Sequence, residues 1–119
     1  MTHGRREEGG AATAELAVAL PTLVLVLASA LGALDLGVSQ IRCVDAARLG
    51  ARLLARGEPA GAALAEVTRA APDGARVGTR AADGHVTVVV TADVPQVLAA
   101  LGVVPRPSAS AVARLETTP

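Results

Sequence analysis

Few residues in this sequence have side chains that could act on a ligand or substrate, and their placement narrows the field further. The two histidines, His3 and His85, lie far apart, with no carboxylate or cysteine at ligand spacing. A metal site needs three or four convergent ligands, so neither marks one. Cys43 is the single cysteine and cannot form an internal disulfide. It reads as a small apolar helix residue; an intermolecular disulfide is the sharper alternative if the chain is exported. Gly9-Gly10 has no strand before it and no Lys-Ser/Thr after it, so it is not a phosphate loop. Asp35, Asp45, Glu58, Glu66, Asp73, Asp83, Asp93 and Glu116 are scattered, as caps and solubilising groups are. No enzyme signature emerges, and no cofactor is expected.

Glu15 is the exception. It is the one charged residue between Ala11 and Leu34, in a stretch that is otherwise almost entirely apolar. A carboxylate carried to the centre of a membrane helix costs up to ~2.5–3.5 kcal/mol, so it calls for a partner. Gly10 stands five positions before it. A cut after Gly10 would free an amino group at Ala11, one helical turn from Glu15, and the two groups could also pair between subunits.

The element that positions Glu15 is the apolar run itself. Leu16 to Leu34 carry no charge and include seven Leu and three Val. As a helix this run spans roughly 28 Å, close to the ~30 Å hydrocarbon thickness of a bilayer. Apolar on every face, it is either a membrane span or a fully buried helix, and a chain of 119 residues has no core large enough to bury it. Pro21 should kink it. Gly32 and Gly37 are small enough for close helix contact. Residues 1–10, MTHGRREEGG, are polar and lack periodicity, and are expected to be a disordered leader.

Charge and composition exclude other classes. Eleven basic residues, all Arg, balance eleven acidic ones, leaving no overall field to attract nucleic acid. Phe, Tyr and Trp are absent, and with them the platforms on which single-stranded bases stack. A nucleic-acid partner is not expected.

Beyond Asp35 a helical pattern continues to about residue 56, giving a helix roughly 65 Å long from about residue 12. Arg42, Asp45, Arg48, Arg52 and Arg56 share one face, read as solvated; Val44, Ala47, Ala51 and Leu54 share another. Ile41 and Leu49 fall toward the charged side, and Gly57 is a stop signal. Pro59 opens a second, short helix, with Ala60, Ala63, Leu64, Val67 and Ala71 at helical spacing, and Pro72-Asp73-Gly74 ends it. Ala75–Arg80 and His85–Thr91 read as a hairpin around Asp83-Gly84. Gln96–Leu101 can make one helical turn, and Ser108–Glu116 a third strand. The expected fold class is α+β: a long N-terminal transmembrane α-helix continuing outside the membrane, then a short helix and a small antiparallel β-sheet.

The stretch Gly10-Ala11-Ala12-Thr13-Ala14-Glu15-Leu16-Ala17-Val18-Ala19-Leu20-Pro21 resembles the start of TadE-like minor pilins, or pseudopilins. Gln40-Ile41-Arg42-Cys43-Val44-Asp45-Ala46-Ala47-Arg48 resembles the actinobacterial members of that family. Two positions depart from the pattern: Leu16 stands where many Tad-type prepilins carry an aromatic residue, and Ala11 where a bulky apolar residue is usual. The resemblance implies a pilin-like fold and cleavage by prepilin peptidase between Gly10 and Ala11. It further implies a role for Glu15 in assembly with other pilin subunits, as a minor component of a tight-adherence (Tad/Flp-type) pilus or related secretion apparatus. The corresponding organisation is a leader at 1–10, a transmembrane assembly helix at 11–35 and an extracytoplasmic head at 36–119. Counting arginines does not orient the span: Arg5 and Arg6 precede it, while Arg42, Arg48, Arg52 and Arg56 follow. It is the resemblance that places the N-terminus in the cytoplasm.

Two other readings compete. An exported protein with a cleaved Sec-type signal peptide would use Leu16–Ala30 as its apolar region and Ala28-Ser29-Ala30 as its cleavage site, leaving a small binding head. A lone membrane anchor could carry a regulatory, binding or enzymatic head. The Arg5-Arg6 pair fits twin-arginine export poorly, since Glu7-Glu8 follow.

Overall fold

The computed structural model describes residues 3–102 and 105–116. Its dominant element is α1 (His3–Ala55), a single helix of 53 residues, about 80 Å long at 1.5 Å per residue. It gives the molecule its rod-like extent of 96 × 21 × 15 Å. The expectation of an irregular leader is corrected over residues 3–10, whose backbone is helical. Arg and Glu are good helix formers, and a helix already nucleated extends by one hydrogen bond per residue, so two glycines do not stop it. Met1 and Thr2 of the leader lie outside the described residues.

At its other end α1 stops where the sequence says it should. Gly57 adopts φ +84°, its N–H donates to the Leu54 carbonyl, and the Glu58 N–H donates to that of Leu53. These are the paired bonds of a Schellman motif. Helix α2 (Ala60–Ala70) follows Pro59 and buries Ala63 and Val67 against α1. Strands β1 (Arg76–Ala82) and β2 (His85–Thr91) form the hairpin, with Asp83 at φ 51° and Gly84 at φ 74°. Two consecutive positive φ values define a type I′ turn, whose twist matches that of the strands. Helix α3 (Gln96–Ala100) leads on toward β3 (Ser108–Arg114). The sheet order is β1-β2-β3, antiparallel throughout.

Register explains the core. Val86, Val88 and Val90 of the central strand are buried on one face, beside Ala113, Ala111 and Ala109 of β3. That face packs on α1 at Cys43, Ala46, Ala47 and Ala51. Small residues on the helix let valines from the sheet and from α2 approach closely. At Gly50 the three elements meet: an added Cβ would stand 2.6 Å from Val67 Cγ2 and 3.1 Å from Val88 Cγ1.

Candidate membrane and assembly site

All three residues singled out near the N-terminus lie on α1. Gly10, Ala11 and Glu15 are exposed, and Ala11 and Glu15 are one turn apart, so they lie on the same side of the helix. Among the described residues the only salt bridge is the exposed Arg69–Glu66 pair, 3.2 Å; Glu15 has none. Residues 9–27 are exposed all round, and the apolar window of this helix has a mean hydropathy of 2.3 with almost none of it covered by protein. A long apolar helix therefore projects from the head with nothing of its own chain against it. An open apolar hollow runs along one side, bordered by Glu15 with Ala19, Leu23 and Val26.

The hydroxyls of this segment are satisfied by the helix itself. Its three hydroxyls each donate to a carbonyl one turn back: Thr13 to Gly9, Thr22 to Val18 and Ser29 to Leu25, all at 2.8 Å. Such back-bonding satisfies a hydroxyl without water, and the exposed Thr68 of α2 makes the same bond to the Leu64 carbonyl at 2.8 Å, so it suits lipid and solvent alike. Glu15 is the one side chain of the segment that the helix itself cannot satisfy.

Farther along α1 the head takes hold. Burial begins at Ala28 and Ser29, which are half-covered, and Gly32 is buried under Leu98 of α3. Gln40 holds the start of β3, accepting from the Ser108 N–H at 3.0 Å and donating to the Ser108 carbonyl at 2.9 Å. Arg42 reaches the Ala71 carbonyl at 3.4 Å, at the end of α2. Arg48, Arg52 and Arg56 are exposed, as a solvated face requires. Gln40, Gly32 and Gly50 carry structural duties that spacing alone does not reveal, because their partners lie far away in the chain.

Cys43 is fully buried, its thiol directed at the Pro107 carbonyl 3.9 Å away. Burial pushes its pKa up, against a smaller opposing effect from backbone hydrogen bonding near Ala92. It is thus the small core residue of the first reading, and in this fold its sulfur cannot reach a second chain. The His85 Nδ1–H donates to the Asp83 carbonyl at 3.0 Å within the hairpin turn. Among the described residues no group of His, Cys, Asp or Glu converges as a metal site would require.

Comparison with known proteins adds one partial relative. Over 44 residues the chain is 52% identical to the apoptosis inhibitor Rv3655c of Mycobacterium tuberculosis, covering 37% of this chain and 35% of that protein. The match thus spans about a third of the length of the curated relative. No protein-family model matches the chain, and no solved structure matches it.

Proposed function

We propose that this chain is a TadE-like minor pilin, a membrane-anchored structural subunit of a Tad/Flp-type pilus or related secretion apparatus. The observation that carries the reading is Glu15: an exposed carboxylate at the head of a bare apolar helix, without an ion-pair partner among the described residues. Prepilin peptidase cuts between Gly10 and Ala11 on the cytoplasmic side, and the new amine pairs with Glu15 of a neighbouring subunit as the helices bundle. The head lies on the extracytoplasmic side. A pilin-like sequence of elements, with one long helix followed by a small antiparallel sheet, supports the same reading.

The mass and N-terminal sequence of the protein extracted from native membranes test this. A mature N-terminus at Ala11, lost when the peptidase is deleted, is the expected result. An intact Met1 in both strains would sink the processing step. Glu15→Ala should insert normally yet fail to enter filaments; pili that incorporate it at the usual level would remove the role given to the carboxylate.

The name of the partial relative, an apoptosis inhibitor, favours a second reading. In it the chain is an exported protein whose head binds a target in cell-death signalling. Its mature N-terminus would be Leu31, so the same measurement separates the two.

A further inference from the structure

The segment carrying α3 sits lower on α1 than a head standing clear of a membrane would. Leu98 packs its Cγ 3.1 Å from the position a Cβ would take at Gly32. Gly32 belongs to the uncharged run that ends at Leu34, about 5 Å below Asp35 along the helix axis. Burial on α1 begins lower still, at Ala28 and Ser29, about 10 Å below Asp35. The contact that holds α3 is therefore made within the stretch read as spanning the bilayer.

The composition of the segment fits that depth. From Val94 to Gly102 there is no charged residue. Leu98 faces α1 and is buried, while Val97 and Leu101 remain 38% and 53% exposed, so the apolar groups exceed what α1 covers. Arg106 borders the same open groove as Ala33, Leu36 and Gly37, helix residues that flank Asp35. An arginine there is placed to donate to lipid phosphates, with apolar groups below it and the charged head above. Interfacial elements bury their apolar faces ~5–10 Å into the boundary between headgroups and acyl chains, and this depth matches.

We propose that α3 is a second membrane contact: Val97 and Leu101 rest in the outer-leaflet interface beside the span, with Arg106 at the phosphates. The occupant of this exposed apolar face is lipid, because α3 is held through Leu98 at Gly32, inside the uncharged run of α1 that lipid would surround. The inference rests on α1 being a membrane span and does not need pilus assembly.

The chain contains no Trp, Tyr or Phe, so a single introduced tryptophan reports its own surroundings. Leu101→Trp, Leu25→Trp at the middle of the span and Val112→Trp on the exposed outer sheet face are each made in the full chain. Each is reconstituted into phosphatidylcholine–phosphatidylglycerol vesicles with brominated acyl chains. The expected result is blue-shifted emission and loss of most intensity for Leu101→Trp, strongest with bromines near the carbonyl end. Leu25→Trp should be quenched best by bromines nearer the chain ends, and Val112→Trp hardly at all. Quenching of Leu25→Trp with Leu101→Trp behaving like Val112→Trp overturns the inference and leaves the span standing. A blue shift at Leu101→Trp that bromines do not quench, and that grows with the protein-to-lipid ratio, also overturns it in favour of a second copy of the chain. If Leu25→Trp is not quenched, the span itself fails and the inference with it.

Discussion

Single residues decide how closely the head grips α1, and Gly50 is the tightest point. A methyl there would press on Val67, which is buried and, being β-branched in a helix, has one strongly preferred rotamer and little room to turn away. Overpacking of this kind costs about 1–3 kcal/mol, while replacing a helix-interior Gly with Ala returns at most ~1 kcal/mol. Gly50→Ala should therefore lower stability by about 1–2 kcal/mol, seen as a lower urea midpoint in detergent. Cys43 makes a second prediction. Its thiol pKa is raised by burial, so above the ordinary thiol value of about 8.5 the unfolded chain loses a proton that the folded chain keeps. This group's contribution is complete below that value and declines as pH rises from it toward the folded pKa. Iodoacetamide at pH 8 should label Cys43 rapidly only after denaturation; fast labelling of the folded protein would contradict its burial. The sequence showed Cys43 as helical and unpaired, but the residues that cover it (the valines of β2 and the Pro107 backbone) come from elsewhere in the chain.

At the scale of elements, what was legible was local. Pro59 before α2, Asp83-Gly84 in the hairpin and Gly57 after α1 each mark a boundary through their own backbone preferences, and each boundary is where they put it. In the sequence Val86, Val88 and Val90 alternate with Thr87, Val89 and Thr91, and that alternation coincides with the buried face of the sheet. The start of α1 was not legible, because a polar stretch without periodicity leaves helix and coil close in energy until a neighbouring helix propagates into it. The docking of α3 on Gly32 and of β3 on Gln40 was also hidden: each joins residues more than sixty positions apart, as the Gln40–Ser108 bonds do at a separation of 68. The candidate site divides in the same way. Gly10, Ala11 and Glu15 were readable from spacing on one helix, whereas the head's reach down to Gly32 needed the tertiary structure. Two glycines then test the backbone argument with one chemical change. Gly57→Ala forces a side chain into the left-handed region and should cost about 1–2 kcal/mol. Gly61, helical and facing open space, should instead gain about 0.4–1 kcal/mol on becoming Ala. Urea midpoints moving in the same direction for both would refute the conformational account.

Over the whole molecule, one uninterrupted helix runs from the bare apolar stretch into the core of the head. The head's core, largely Ala and Val packed around residues 43–51 of α1, leaves the long axis of the head tied to that of the span. On the proposed reading, neighbouring helices that pair through Glu15 would also set how their heads are spaced. The head is not independent of the lower part of the helix either, since Leu98 is covered by Gly32. A soluble version of the chain beginning at Leu36 loses that cover, whereas one beginning at Ala28 keeps it. Fully burying a leucine is worth about 1.5–3 kcal/mol, and part of that burial comes from the α3 segment itself. The version starting at Leu36 should therefore be less stable by about 1–2 kcal/mol, with faster amide exchange in Gln96–Ala100 and unchanged exchange in β2. Equal stabilities and equal exchange would mean that α3 holds its place without α1, and the head would then end at Asp35 instead of reaching below it.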